Sequence, residues 1–214
     1  MVQPFTFLVF GATGATGKHF TAKALADGHR VRALVRTPRK LGPNNERLEV
    51  LQGSITDPID ADALVAGVDY VVVMLGDKAL QRHASINTAF MRRLIPAMRR
   101  QGVRRILYQA GGLSRPYGGH LSPALWLIRN SIARSFNGQH RDNEAVMAFL
   151  ATEANDLEWI VHRAGIYSDG RSKGRLHRSR RKFSVATFRD CADYNYRTVI
   201  DSTAVHTVDF SRYD

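Results

Sequence analysis

The sequence predicts a protein of the α/β class, with a doubly wound parallel sheet and helices on both faces. Short, continuously apolar segments alternate along the chain with segments of helical periodicity, and the links between them are short. Continuous apolar runs are typical of strands that are buried on both faces of a parallel sheet. Alternation of strands and helices produces right-handed βαβ units. The 214 residues are therefore expected to form a single domain, 1–214.

Seven segments are predicted as strands from their apolar, aromatic and β-branched composition. The first strand, FTFLVF, leads directly into the first glycines of the chain, and the fourth, YVVVML, has the strongest strand pattern in the sequence. In chain order the predicted strands are 5–10, 31–35, 48–51, 70–75, 104–109, 159–162 and 205–209.

Six segments have the apolar spacing of helices. Gly28 is a typical stop for the first helix, and Asp60 is a typical cap for the second. Pro96 lies inside the third helix, where it removes one interior hydrogen bond. The predicted helices are 16–27, 61–66, 85–101, 124–136, 141–153 and 190–197.

The net charge of +12 is concentrated in one run, RSKGRLHRSRRK at 171–182, which holds seven Lys or Arg and no acid. Such a run is typical either of a solvated loop or of a surface for anionic partners. It has no interleaved aromatic residues on which bases could stack. A basic flexible loop is therefore predicted at 171–182, and nucleic acid is not favoured as a partner.

Composition also indicates a compartment. Cys191 is the only cysteine, so the chain can form no internal disulfide, which fits a reducing compartment. No stretch approaches the roughly 20 apolar residues that cross a membrane, and the N-terminus lacks the pattern of a signal peptide. No His, Cys and Asp cluster has metal-ligand spacing. We expect a soluble cytoplasmic protein without membrane contact or bound metal, of undetermined oligomeric state.

Three glycines, Gly11, Gly14 and Gly17, follow the first strand in the sequence GATGATG and open the first helix. Glycine permits a tight turn and lets a phosphate approach the backbone, and a helix N-terminus favours negative charge. The spacing is G-x-x-G-x-x-G rather than the common G-x-G-x-x-G, but the position between strand and helix is the context that a dinucleotide loop requires. A dinucleotide-binding loop is predicted, with a simple tight turn as the alternative.

The end of the second strand indicates which dinucleotide is bound. NAD sites carry an acid there for the ribose 2′-hydroxyl. This chain instead reads VRALVRTPRK, with Arg36 nineteen residues after Gly17. Arginine can bind a phosphate through two hydrogen bonds. The site is therefore predicted to take NADP(H), and the alternative is that these basic residues form a solvated loop.

The segment FGATGATGKHFTAKALADGHRVRALVRTPRKL resembles the start of atypical short-chain dehydrogenases, and it is most similar to NmrA-like and biliverdin reductase B (flavin reductase)-like proteins. The similarity continues through GSITD, GVDYVVVMLG, GVRRILYQAGG and LEWIVHRAGIYSDG, and it returns at FRDCADYNYRTV. It implies a Rossmann-like domain with a small C-terminal region that caps the substrate. Together with the glycine loop, it assigns the cofactor to Gly11, Thr13, Gly14, Ala15, Thr16, Gly17, Arg36, Ser54, Leu75 and Gly76. Ser54 stands where the family usually has Asp.

Typical short-chain dehydrogenases use a Ser, a Tyr and a Lys four residues after the Tyr. The fifth strand of this chain ends in YQAGG, so Ala110 and Gly111 stand where the serine pair is expected. Tyr117 is followed four residues later by Leu121 instead of Lys. The usual catalytic set is therefore missing from its expected positions.

The remaining candidates for acid–base chemistry are His120, His140 and Gln109. His140 lies one helical turn before Glu144, so the two share a helix face, as catalytic neighbours or as a surface pair. Tyr117 and Arg163 are candidate substrate contacts, and Arg163 is equally well explained as an anchoring residue.

Three functions remain open. The first is an NADP(H)-dependent oxidoreductase for a small aromatic or quinone-like molecule, with a place in secondary metabolism. The second is a redox-neutral cyclase or isomerase on the same scaffold, and the third is a non-enzymatic NADP(H) sensor. The first is preferred, because the cofactor site is retained and the resemblance to biliverdin reductase B-like proteins implies a reaction that depends mainly on placing the nicotinamide against an aromatic acceptor.

Overall fold

The computed structural model describes residues 4–42, 45–165 and 168–214. Within these residues an eight-stranded sheet has the order β3-β2-β1-β4-β5-β6-β8-β7. The strands are β1 (Thr6–Phe10), β2 (Arg30–Val35), β3 (Leu48–Gln52), β4 (Tyr70–Val73), β5 (Arg105–Gly111), β6 (Glu158–Ala164), β7 (His177–Ser179) and β8 (Thr207–Arg212). Every neighbouring pair is parallel except β7 and β8. The strand order reverses between β1 and β4, so the predicted Rossmann-like, doubly wound sheet is confirmed.

Helices cover both faces of the sheet. In the described parts of the chain they are α1 (Gly17–Ala26), α2 (Ala61–Val65), α3 (Ile86–Arg100), α4 (Pro123–Asn130), α5 (Asn137–Glu153) and α6 (Phe188–Ile200). Phe7 and Val9 of β1 pack with α1 and α6, whereas Leu8 and Phe10 pack with α2, α3 and α5. Successive side chains of a strand point to opposite faces, and here both faces are buried, which explains the continuous apolar run.

The predicted helix ends agree with local chemistry. Asp60 Oδ1 accepts a hydrogen bond of 3.0 Å from the Ala63 backbone N–H at the start of α2, and Gly28 has a φ of +87° just after α1. Pro96 lies inside α3, which continues to Arg100. None of the helices within the described ranges is long and apolar enough to cross a membrane.

The prediction of one helix over 124–136 is wrong. Helix α4 ends at Asn130, and a short 3-10 turn follows at Arg134–Phe136. The apolar residues that suggested a longer helix are not buried, since Trp126 is 57% exposed and Ile132 is 86% exposed. A longer helix would gain no packing from these side chains, and packing supplies most helical stability in proteins.

The basic run 171–182 is not a loop throughout, contrary to the prediction. His177–Ser179 forms β7, which pairs antiparallel with β8 at the edge of the sheet. Arg178 Nε donates to Asp209 Oδ2 at 3.0 Å, and the Lys173 backbone N–H donates to Asp190 Oδ2 at 2.9 Å. Carboxylates that lie outside the run therefore hold part of it against the domain.

Candidate functional site

A crevice runs along the carboxyl ends of β1 to β4. This is the side of a doubly wound sheet on which ligands bind, at the point where the strand order reverses. The crevice is lined by Gly11, Thr13, Gly14, Leu34, Val35, Arg36, Gly53, Ser54, Ile55, Thr56, Met74, Leu75, Gly76, Asp77, Leu80, Ile86 and Asn87.

Two of the three loop glycines are required by the backbone itself. Gly11 has a φ of +86°, and a Cβ on it would lie 2.3 Å from the Met74 carbonyl oxygen. A Cβ on Gly17 would lie 2.0 Å from the Gly11 carbonyl oxygen. A Cβ on Gly14, by contrast, would meet only the Gly11 carbonyl oxygen, at 3.1 Å. Gly14 is therefore the glycine whose missing side chain leaves room in the crevice.

The N-terminus of α1 lies directly after the glycine loop. Thr16 precedes the helix, and its side chain makes no capping hydrogen bond. The N–H groups of Lys18, His19 and Phe20 bond to the carbonyls of Gly14 and Thr16, so the helix dipole is what favours an anion at this end. The loop folds over this end through a 2.9 Å hydrogen bond from the Gly14 N–H to the Gly11 carbonyl. The result is a narrow cradle of backbone with the electrostatics of a phosphate site.

Arg36 lies at the end of β2, on the wall of this crevice. Its Nη1 is 3.3 Å from Oδ2 of Asp77, which follows β4. The Arg36 side chain is 70% exposed, whereas the Asp77 side chain is 24% exposed. The guanidinium is therefore accessible from the crevice, with a carboxylate beside it.

The structure brings seven of the ten predicted cofactor residues together on the crevice: Gly11, Thr13, Gly14, Arg36, Ser54, Leu75 and Gly76. The other three are in the loop that enters α1. Ala15 is exposed, while Thr16 and Gly17 are buried beneath the turn. Ser54 is held in place by its backbone N–H, which donates to Asp57 Oδ2 at 2.8 Å.

Gln109 lies on β5 with its amide between α1 and α6. Its Oε1 accepts a hydrogen bond of 2.7 Å from Asn195 Nδ2, and its Nε2 is 3.5 Å from the Thr16 hydroxyl. Asn195 is in turn bound through Oδ1 to His162 Nδ1 at 2.6 Å, and His162 Nε2 is 2.8 Å from the Ser211 hydroxyl. Each hydrogen bond determines which atom of the next residue donates and which accepts. Because Asn195 donates to the Gln109 carbonyl oxygen, the Gln109 N–H groups face the cofactor loop.

His162 fixes the donor and acceptor directions of these hydrogen bonds because its imidazole stays neutral. Burial lowers its pKa to about 4, although its hydrogen bond with Asn195 opposes the shift. A neutral imidazole has one donor and one acceptor nitrogen. Here Nδ1–H donates to Asn195, and Nε2 accepts from Ser211.

A second polar network joins the crevice to the end of β5. Asn87 Nδ2 donates to the Tyr108 hydroxyl at 3.0 Å, and that hydroxyl donates to Asn143 Oδ1 at 2.6 Å. Asn143 Nδ2 donates to the Ser114 hydroxyl at 3.3 Å, and Ser114 Oγ is 3.4 Å from His140 Nδ1. The network leaves two buried atoms without a hydrogen-bond partner among the described residues, Asn87 Oδ1 and His140 Nε2.

The alternative of a surface pair between His140 and Glu144 is excluded by the structure. His140 is buried, and burial together with the positive charge of Arg129 lowers its pKa to about 4. The Glu144 carboxylate binds Arg129 and accepts from Arg115, with 3.0 Å between Arg115 Nη2 and Glu144 Oε2. Glu144 therefore anchors α4 and the loop after β5 to α5.

The other predicted residues lie in different surroundings. Tyr117 and His120 are exposed in the loop between β5 and α4. Arg163 is buried on β6, where it donates to the Gly112 carbonyl at 3.2 Å and lies 4.0 Å from the centre of the Phe210 ring. Burial lowers its pKa to about 10. These contacts are those of an anchoring residue.

Sequence reasoning missed Asp77, Asn87, Ser114 and Asn195. Asp77 and Asn87 line the crevice, and Ser114 and Asn195 hydrogen-bond with candidate residues. Single Asp, Asn and Ser residues carry no motif, and their partners are far away in the sequence. Only for Asn195 was there a signal, because it lies in the FRDCADYNYRTV segment of the resemblance.

The fold and the crevice define a dinucleotide-binding protein. A family model for NAD(P)H-binding proteins matches residues 11–190. Because the match spans most of the chain, the protein belongs to the NAD(P)H-binding family, and the family and the cofactor class predicted from the sequence are confirmed.

Curated relatives match only part of the chain. It is 35% identical over 112 residues to the 3 beta-hydroxysteroid dehydrogenase/Delta 5→4-isomerase of Mycobacterium tuberculosis, a match that covers 47% of this chain and 30% of that protein. It is 40% identical over 70 residues to the (4-alkanoyl-5-oxo-2,5-dihydrofuran-3-yl)methyl phosphate reductase of Streptomyces griseus, a match that covers 33% of this chain and 24% of that protein. The matches therefore span less than a third of these relatives' lengths.

Solved structures match the whole domain. A short-chain dehydrogenase/reductase from Veillonella parvula, solved in complex with NADP, has a TM-score of 0.74 at 16% identity, over 99% of this chain and 95% of that one. An anaerobillin reductase from Escherichia coli O157:H7 has a TM-score of 0.75 at 17% identity, over 97% of this chain and 96% of that one. At such low identity these likenesses concern the fold.

Proposed function

We propose that the protein is an NADP(H)-dependent oxidoreductase that acts on a small aromatic or quinone-like molecule. The observation that carries the proposal is Arg36 at the end of β2, exposed on the wall of the crevice where an NAD site has an acid. The relatives named above as dehydrogenases and reductases support an oxidoreductase, and the neighbour solved with NADP supports the choice of dinucleotide.

The residues of the crevice fit such a cofactor. The absence of a side chain at Gly14 would let a pyrophosphate approach the loop, and Arg36 on the crevice wall could bind the 2′-phosphate. Asn87 also lines the crevice, and its buried Oδ1 has no hydrogen-bond partner among the described residues. A bound NADP(H) would supply the hydride; the protein contributes binding and orientation.

Gln109 and His140 are proposed to act on the reacting groups, Gln109 as a hydrogen-bond donor and His140 as a neutral imidazole. Asn195 occupies the Gln109 carbonyl oxygen, so the Gln109 N–H groups face the loop at Thr16. With a pKa of about 4, His140 carries no positive charge at neutral pH and donates or accepts a hydrogen bond instead of releasing a proton as an imidazolium. His120 remains a candidate acid from the exposed loop, where Tyr117 can stack on an aromatic substrate.

A redox-neutral isomerase or cyclase is the second candidate. It is favoured by the chemistry at the end of β5, where Ser114, His140 and Asn143 form a buried polar cluster. Such a cluster can polarise a carbonyl group without hydride transfer. The measurement that separates the two functions is consumption of NADPH during turnover.

The proposal is tested by fluorescence titration of the purified protein with NADPH, NADH and NADP⁺, followed by a screen of quinones and flavins for NADPH oxidation. Tight binding with preference for the 2′-phosphate, followed by turnover of an aromatic acceptor, is the expected result. Cofactor binding without oxidation by any acceptor favours the redox-neutral function, and failure to bind either reduced dinucleotide contradicts the proposal.

The same titration tests the residue that carries the proposal. Replacement of the guanidinium by a carboxylate in Arg36→Glu removes the partner of the 2′-phosphate and adds a repulsive charge. We expect the preference for NADPH over NADH to disappear, with NADH affinity changed by less than about threefold. An unchanged preference in this variant would show that the 2′-phosphate is bound elsewhere.

A further inference from the structure

The crevice contains an acid that the sequence pattern does not predict. NAD sites carry their acid at the end of β2, and this chain has Arg36 there instead. Asp77 lies just after β4, two strands away from β2 across β1. Its Oδ2 nevertheless reaches to 3.3 Å from Arg36 Nη1. The wall that would receive the adenosine ribose therefore carries an arginine and an aspartate side by side.

Asp77 is the fixed member of this pair. Its backbone N–H donates to Gln81 Oε1 at 2.9 Å, and its Oδ1 accepts from the Leu80 N–H at 3.1 Å. Arg36 makes one contact with Asp77 and has no other hydrogen-bond partner among the residues that the structure describes. The nearby Lys78 lies over the Phe136 ring at 4.3 Å and does not pair with Asp77. Oδ2 of Asp77 thus places a fixed carboxylate beside an exposed guanidinium.

The pair has opposite consequences for the two dinucleotides. A 2′-phosphate bound by Arg36 would share the guanidinium with the Asp77 carboxylate, and the two anions would repel each other. A ribose 2′-hydroxyl meets no such repulsion and can donate a hydrogen bond to Asp77. The Arg36 side chain is 70% exposed, so its single contact with Asp77 is weak and a ligand can displace it.

We propose that Asp77 is a specificity-determining residue that limits the preference for NADPH and lets the crevice accept NADH as well. The inference rests on the proposed function, since it takes Arg36 to be the partner of the 2′-phosphate. Arg36 attracts the phosphate, and Asp77 opposes it. The discrimination between the two cofactors is the difference between these effects.

The test is the titration of Asp77→Asn with NADPH and NADH. Asparagine keeps an oxygen that can accept from the Leu80 N–H, so the turn at Leu80–Arg82 is retained. We expect the NADPH Kd to fall about tenfold and the NADH Kd to stay the same or rise. Asp77→Ser provides a second variant with a hydroxyl acceptor for the same N–H, for use if the asparagine protein does not fold.

Two further variants show whether an effect of Asp77→Asn comes from the crevice and whether it depends on Arg36. Asp156→Asn removes the same charge from an Asp–Arg pair with Arg99, outside the crevice, and is expected to change neither Kd. Arg36→Glu separates the two proposals. If it abolishes the preference while Asp77→Asn leaves the NADPH to NADH ratio unchanged, or shifts it towards NADH, the role of Asp77 is refuted and the cofactor assignment stands. If Arg36→Glu leaves the preference intact, both are refuted.

Discussion

Gly14 and Gly17 are three residues apart in one loop, yet they are glycines for different reasons. Gly17 is required by the protein alone, because a Cβ there would lie 2.0 Å from the Gly11 carbonyl oxygen. A Cβ on Gly14 would meet one atom, the Gly11 carbonyl oxygen at 3.1 Å, which requires only a small shift, and Gly14 lines the crevice. We therefore infer that its lack of a side chain serves the ligand. Substitutions at the two positions therefore separate folding from binding.

We predict that Gly14→Val loses at least about 100-fold in NADPH affinity, because the side chain would occupy the space of the pyrophosphate. Its thermal unfolding temperature is expected to stay within a few degrees of the wild-type value. Fluorescence titration and thermal melting of the same preparation provide the two measurements. Gly17→Val, in contrast, should unfold at a markedly lower temperature, and full NADPH affinity in Gly14→Val would show that the loop is only a turn.

At the scale of elements, α5 holds the region after β5 through one carboxylate. Glu144 binds Arg129 of α4 and Arg115 of the preceding loop. Burial by itself would raise the pKa of Glu144, but the hydrogen bonds from Arg115 and Arg129 outweigh it and lower the pKa. Arg129 is also buried, so removal of its partner would leave a buried charge without compensation.

Glu144→Gln is therefore predicted to reduce the free energy of unfolding by about 3 kcal/mol. Hydrogen exchange should accelerate in residues 112–131, while β1 and α1 keep their protection. Glu153→Gln is the matched control, because it lies on the same helix and breaks an exposed pair with Arg92, with an expected cost below about 1 kcal/mol. Equal effects of the two substitutions would contradict the anchoring role.

Elements that are defined by local pattern could be predicted from the sequence, and those defined by distant contacts could not. The apolar run of β1 and the cap of α2 at Asp60 depend on neighbours in the chain, and both were predicted. Strand β7 has the sequence HRS, which carries no apolar signal, and it exists because β8 pairs with it. Helix α4 is shorter than predicted because periodicity does not show whether a partner covers the apolar side.

In the candidate site, too, local features could be predicted from the sequence and distant contacts could not. The glycine loop and Arg36 could be predicted because a phosphate site is built from consecutive backbone groups and from one position at a strand end. The pairing of Arg36 with Asp77 joins residues 41 positions apart, and the contact of Ser114 with His140 spans 26. The first contact depends on the order of β2, β1 and β4 in the sheet, and the second depends on where α5 packs. Neither is visible in the local sequence pattern.

On the scale of the whole molecule, the buried residues His140 and His162 make stability depend on pH. His140 and His162 both have a pKa lowered from 6.5 to about 4, chiefly by burial. In the unfolded chain both would titrate near 6.5, so between pH 6.5 and 4 the unfolded state binds more protons than the folded state. Their contribution is therefore fully present above pH 6.5 and is lost as the pH falls through this window. The net charge of +12 adds self-repulsion as further protons bind.

We predict that the free energy of unfolding, measured by urea titration, falls by about 2 kcal/mol for each of His140 and His162 between pH 7 and pH 5. Carboxylates titrate mainly below this range in the unfolded chain, so the slope above pH 5 reports the histidines. His140→Gln should remove about half of the slope, whatever its effect on stability at pH 7. His120→Asn, which changes an exposed histidine, should leave the slope unchanged. A wild-type stability that is equal at pH 7 and pH 5 would show that neither imidazole is held neutral by the fold.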